Sequence, residues 1–215
     1  MLINSNIKID NPIAVGKCGK LFGHFHLGER REILLHACCA PCSSAIVECL
    51  LENNIRPTLF YYNPNIYPRE EYEKRKVECI RHTQMLGLDF VDADYEHDKW
   101  LEEVKRFEEE PERGKRCLLC FKQRLFTTAN YAHEHGFGIY TTTLASSRWK
   151  RLDQIFEAGR YAASLFDDVD FWDQNWRKGG LSERRNELIR IYEFYNQQYC
   201  GCEFSKRDKR KKRNQ

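Results

Sequence analysis

The chain has 215 residues, 41% hydrophobic and 31% charged, which is ordinary for a globular protein and long enough for one sizeable core. No stretch approaches the roughly 20 apolar residues of a membrane span, and the N-terminus lacks the apolar core of a secretory signal, so a cytoplasmic protein is expected. The formal charge of +3 conceals a basic tail of Lys206, Arg207, Lys209, Arg210, Lys211, Lys212 and Arg213, without which the body is slightly acidic; such a tail either attracts polyphosphate backbones or is simply solvated.

Residues 1–31 show no sustained hydrophobic period and read as an N-terminal extension, residues 32–205 as a single domain, and residues 206–215 as the basic tail. The apolar run at 32–37 stops at Cys38-Cys39-Ala40-Pro41-Cys42, after which Ala45, Ile46, Leu50 and Leu51 recur at helical spacing. This predicts strand, turn and helix. Pro41 suits a first helical turn and Ser43 or Ser44 can cap it, which puts Cys38, Cys39 and Cys42 near free N–H groups at the positive end of a helix dipole, where thiolates are favoured. A second strand is predicted at 56–62, ended by Asn63-Pro64-Asn65, then a charged helix over 70–86 and a strand at 88–94. A helical region over 98–135 is interrupted near Pro111 and Gly114, a β-rich strand follows at 138–144, and a helix at 149–165. A short strand at 169–172 and a helix over 182–199, capped by Ser182, complete the series. Strands alternating with helices imply an α/β fold with a parallel, doubly wound sheet, in which ligands collect outside the carboxyl ends of the strands. Cys38, Cys39 and the segment 141–147 fall at that edge.

Ten cysteines are many for such a chain, and in a reducing compartment they point to metal or catalysis before stable disulfides. Cys38 and Cys39 with the Cys-x-x-Cys pair Cys117 and Cys120 offer four thiolates, enough for a [4Fe-4S] cluster or one zinc. Adjacent cysteines are unusual ligands of structural zinc, which favours iron, and Cys42 can replace either member of the first pair. A disulfide across Cys200-Gly201-Cys202 would close a small, strained and therefore labile ring, suited to moving electrons; the alternative is two free thiols or two more ligands. Cys49 and Cys79 read as small apolar residues of helices, Cys18 belongs to the extension, and His24 and His26 read as surface imidazoles.

The motifs Leu35-His36-Ala37-Cys38-Cys39-Ala40-Pro41-Cys42, Tyr62-Asn63-Pro64-Asn65-Ile66, Arg116-Cys117-Leu118-Leu119-Cys120-Phe121, Thr141-Thr142-Thr143-Leu144 and Tyr199-Cys200-Gly201-Cys202 occur in order, and together they resemble the cobalamin-independent epoxyqueuosine reductases, the QueH family. The resemblance implies an oxidoreductase with a HUP-like three-layer sandwich, reducing epoxyqueuosine to queuosine at the wobble position of tRNA, the last step of queuosine synthesis. It also implies a [4Fe-4S] cluster on Cys38, Cys39, Cys117 and Cys120 and a redox-active disulfide at Cys200 and Cys202; the sequence leaves open whether one cysteine holds an additional iron and does not identify the electron donor. Ser147 and Lys150 fit a Ser-x-x-Lys spacing expected near the substrate. Arg116, Arg124, Arg148, Lys150 and Arg151 are candidates for tRNA phosphates, and Tyr61, Tyr62 and Trp149 for stacking on a base. No Ser-Gly-Gly-x-Asp-Ser pyrophosphate loop is present, which disfavours ATP-dependent thiolation of tRNA. The competing readings are a zinc-stabilised RNA-binding module and a thiol-disulfide oxidoreductase centred on Cys200 and Cys202.

Overall fold

A computed structural model describes residues 32–206. Strand β1 (Glu32–His36) carries Ile33, Leu34 and Leu35, all fully buried, as a strand covered on both faces requires. It leads into α1 (Ala40–Glu52), β2 (Arg56–Tyr61), α2 (Arg69–Met85) and β3 (Phe90–Asp92). Helices α3 (His97–Lys105) and α4 (Lys115–Glu134) then return the chain to β4 (Ile139–Thr142) and a 3-10 turn (Thr143–Ser146), followed by α5 (Leu152–Ala163), β5 (Asp170–Phe171) and α6 (Leu181–Ile191).

The five strands pair in the order β3-β2-β1-β4-β5, all parallel. The chain therefore builds outward from β1 to one side, then crosses back and builds outward on the other. Between β1 and β4 lies the switch point, where the loops leaving neighbouring strands diverge and open a crevice. Helices flank the sheet, α1 packing against α2 and α6 and α4 packing against α5, which gives the α/β layered fold that the alternation of elements predicts.

Two contacts fix these layers. Arg184 on α6 makes a bidentate, buried bond to Glu48 on α1, with both N···O distances 2.7 Å. On the other face Gly159 lets α5 approach β5 so closely that a Cβ there would stand 2.3 Å from the Phe171 ring.

Three local expectations are corrected. The helix after Cys39 has no side-chain cap; Ser43 instead turns its hydroxyl back to the carbonyls of Cys39 and Ala40, both at 3.2 Å. The fifth helix begins at Leu152, which leaves Trp149 in the loop before it. The last predicted helix stops at Ile191, and its N-cap is Gly180 at φ 81°, where glycine alone is unstrained, so Ser182 lies inside the first turn. Residues 192–202 instead run as an irregular strap beside α2.

Candidate metal and thiol site

The crevice is set by the buried imidazole of His36, last residue of β1. Its Nδ1 lies 2.8 Å from Thr142 Oγ1 on β4 and its Nε2 lies 3.1 Å from the Tyr62 carbonyl after β2. Burial first, then the charge of Arg124, lowers its pKa to about 3, so the ring is neutral, with Nε2–H donating to the carbonyl and Nδ1 accepting from the threonine. One side chain thus ties together the ends of three strands.

From that point the backbone turns into α1. Cys38 N–H donates to Thr143 Oγ1 at 3.1 Å, and the threonine hydroxyl in turn lies 3.4 Å from Cys38 Sγ. Cys39 is the N-cap of α1, and Cys42 stands in its first turn, after Pro41. The sulfurs of Cys38, Cys39 and Cys42 all lie within 4.8 Å of one another, and they form the one such group of candidate metal ligands among the described residues. Hydrogen bonds from the Cys39 and Cys42 thiols drive the Cys38 pKa well below its ordinary value. Burial and the proximity of Cys38 push Cys39 well up, and Cys42 rises to about 11 through its bond to Cys38. Within the trio the Cys38 thiol ionises before the other two, and a bound cation would favour ionisation of all three.

Cys117 and Cys120 occupy the first turns of α4, which starts after Gly114 as the predicted break requires. Arg113, at φ 72°, donates its N–H to Cys117 Sγ at 3.3 Å. Burial and then Cys200 push Cys117 up to about 12, and Cys120 is raised by burial in an apolar cluster with Trp100, Val104 and Phe204. Cys202 packs on the same cluster and is pushed up to about 12 by burial and by Cys200. Cys117 and Cys120 stand outside the 4.8 Å trio, but Cys200 interacts electrostatically with both. Lys150 joins the groups: burial disfavours its charge, yet Cys200, Cys38 and Cys42 hold its pKa above the ordinary value.

The Cys200-Gly201-Cys202 turn is held by α2. Arg75, almost completely buried, donates from Nη1 to the Cys200 carbonyl at 3.2 Å and from Nη2 to the Tyr199 carbonyl at 3.3 Å, while Glu71 accepts from its Nε at 2.8 Å. Tyr67 N–H donates to the Gly201 carbonyl at 2.9 Å. Gly201 sits at φ 131°, and a Cβ there would come within 3.0 Å of Ile66 and 3.3 Å of the Arg75 guanidinium, so the spacer between the two thiols has to be glycine. Both thiols are free. Cys79 and Cys49 are fully buried on α2 and α1.

The predicted tRNA contacts divide sharply. Arg116 is 2% exposed, bonds the carbonyls of Phe107, Glu108 and Glu110, and lies 4.5 Å from the centre of the Phe204 ring, so its donors face inward. Arg124 is buried against Asn63, Arg151 pairs with Asp153, and Tyr61 and Tyr62 are core residues. Trp149 is 67% exposed with the Arg148 guanidinium 4.9 Å from the centre of its ring. Its carbonyl accepts from Arg113 Nε at 2.8 Å, and that of Lys150 accepts from Arg177 at 2.8 Å, which stitches this loop to its neighbours. Ser147 closes the 3-10 turn, with the Lys150 N–H on its carbonyl at 3.2 Å. Sequence reasoning placed Thr143 at the ligand edge but missed Arg75 and Gln197, because an arginine in a charged helix and a glutamine in a presumed helix carry no local signal.

The fold and site define a doubly wound α/β protein whose switch point carries a buried trio of thiols that could hold a metal ion. The family model described as Epoxyqueuosine reductase QueH matches residues 33–208, and the chain belongs to that family. Proteins named Epoxyqueuosine reductase QueH from Haemophilus influenzae (48% identical, covering 84% of this chain and 74% of the relative) and Acinetobacter baylyi (47%, covering 82% and 81%) are among its relatives. One of the same name from Thermotoga maritima is 33% identical, covering 84% of this chain and 93% of the relative. No described helix is long and apolar enough to cross a membrane.

Proposed function

We propose that the protein reduces epoxyqueuosine in tRNA to queuosine. The observation that carries this is the buried trio of thiols at the β1/β4 switch point in a chain of the epoxyqueuosine reductase QueH family. The donor set suits a soft metal: buried sulfurs, a threonine hydroxyl and a glutamine amide directed at them, and no carboxylate within the trio. Cys38, Cys39, Cys117 and Cys120 would hold a [4Fe-4S] cluster, with Cys42 placed to take part or to help hold an additional iron. When bound, such a cluster supplies electrons one at a time.

Turning the epoxide into an alkene removes one oxygen as water and takes two electrons and two protons. The dithiol of Cys200 and Cys202 carries that complement, since its oxidation to a disulfide releases two electrons and two protons; an external reductant must then restore it. Lys150 Nζ, cationic at neutral pH, meets the negative charge that grows on oxygen as the C–O bond breaks. Ser147 sets the loop that delivers Lys150. Arg148 and Trp149 at the rim offer a phosphate contact and a stacking face for a base turned out of the anticodon loop.

Anaerobic purification with iron, sulfide and zinc analysis tests this reading. About four irons and four sulfides per chain, with turnover of epoxyqueuosine-containing tRNA, are expected, and Cys117→Ala should abolish cluster and turnover together. Stoichiometric zinc without sulfide, and no turnover, would replace the reductase with a zinc-stabilised RNA-binding protein.

A further inference from the structure

The strap after α6 passes beside the thiol trio and is pinned on both sides of Gln197. Before it, Tyr195 N–H donates to Glu78 at 3.2 Å and Tyr195 OH to Glu71 at 2.9 Å; after it, Tyr199 OH donates to the Tyr67 carbonyl at 2.6 Å and Arg75 grips the Tyr199 carbonyl. With its backbone fixed in this way, Gln197 extends its amide to the sulfurs. Nε2 lies 2.8 Å from Cys39 Sγ and 3.6 Å from Cys42 Sγ, while Oε1 is buried with no partner among the described residues. A buried carbonyl left without a partner is unfavourable. The side chain leaves its acceptor unsatisfied and spends its donors on sulfur.

From this geometry we infer that Gln197 is a positioning residue that donates N–H···S hydrogen bonds to the metal-bound sulfurs of the Cys38, Cys39 and Cys42 group and thereby raises the reduction potential of the metal centre. The inference rests on the metal centre proposed above. A metal-bound thiolate is an acceptor only, and a primary amide carries two N–H groups, one for each of two adjacent sulfurs. A donor on a thiolate draws charge off the sulfur, weakens its donation to the metal and favours the more negative, reduced form; hydrogen bonds to the sulfurs are among the features that set such potentials. Gln197 also stands three residues before Cys200. The strap that carries the thiol pair therefore also carries a donor to the metal ligands.

The test uses the full chain and two variants. Gln197→Leu removes both donors, and Gln197→Asn keeps the amide but withdraws it by one methylene. Iron and sulfide content is measured first, then the midpoint potential by EPR-monitored titration. Separately, metal-free protein is loaded with Co²⁺ alone and its sulfur-to-cobalt charge-transfer band recorded. With loading and thermal stability close to wild type, both variants should show a more negative potential, and the cobalt band should move to longer wavelength as the freed sulfurs donate more strongly. An unchanged potential and an unchanged cobalt band in a variant that loads normally would reduce Gln197 to a packing residue and overturn the inference. Should wild-type protein take up no iron and sulfide, the cluster reading fails, and the cobalt band alone then decides whether Gln197 acts on the thiolates.

Discussion

At the scale of single residues, chemistry was easier to read than placement. Cys38, Cys39 and Cys42 announce themselves because thiols at a strand end are rare and the strand is obvious; that Cys42 joins the first pair within 4.8 Å follows from the first turn of α1. Arg116 shows the opposite case. Its position beside Cys117 suggested a phosphate contact, but the chain doubles back through Phe107, Glu108 and Glu110 and turns the guanidinium inward, which no local pattern reveals. Lys150 is the residue whose role is most directly separable from stability. Lys150→Gln keeps length and polarity but removes the charge, and we expect kcat to fall about tenfold or more with a small change in KM, since in the proposed role the charge would act on an oxygen that becomes negative only during reaction. Steady-state kinetics with epoxyqueuosine-containing tRNA checks this; a change confined to KM would make Lys150 a binding residue. The Glu48–Arg184 pair is structural. Glu48→Ala leaves a buried guanidinium with only the half-exposed Glu187, and should cost about 3 kcal/mol in urea unfolding.

At the scale of elements, helix existence was legible and helix ends were not. Residues 192–199 continue a polar, helix-compatible composition, yet α6 stops at Ile191. Glu193 takes φ 52°, the Arg81 guanidinium holds the Tyr192 carbonyl at 2.8 Å, and Tyr195 bonds Glu71 and Glu78, so tertiary contacts with α2 replace helix propensity. For the same reason Trp149 left its predicted helix: Arg113 and Arg177 hold the carbonyls of Trp149 and Lys150 in a loop. The packing of α5 on β5 gives a direct test. Gly159→Ala drives a methyl into the Phe171 ring, and overpacking of this kind costs about 1–3 kcal/mol. Thermal unfolding should show the loss, and Gly159→Ala combined with Phe171→Leu should recover part of it.

At the scale of the whole molecule, the parallel sheet and its ligand edge were legible because strands and helices alternate in regular lengths. The order β3-β2-β1-β4-β5, and with it the crevice beside β1, was not, since pairing is decided by which strands are most apolar on both faces and by crossover handedness. The packed interior also sets a pH limit. His82 is buried, with the rings of Tyr192 and Phe194 edge-on to it, and burial lowers its pKa from 6.5 to about 4. The unfolded chain takes up the proton near 6.5 and the folded chain does not, so stability is complete above pH 6.5 and is lost as pH falls toward 4, by at most about 3 kcal/mol. The urea midpoint should fall between pH 7 and 4.5, and fall less in His82→Phe. Deleting residues 206–215 removes seven basic side chains and should weaken tRNA binding while flattening its salt dependence; an unchanged salt slope would leave the tail no part in binding. The proposed centre would draw its thiols from residues 38–42, 117–120 and 200–202, three stretches far apart along the chain. Such a centre is a long-range closure, completed only when both halves of the sheet and the final strap have met. Metal offered to an unfolded chain would find scattered pairs and cross-link them in wrong combinations, whereas metal offered after folding would find the Cys38, Cys39 and Cys42 trio already assembled. Order of addition during refolding should therefore govern the yield of correctly loaded protein, with the highest yield expected when metal is added last.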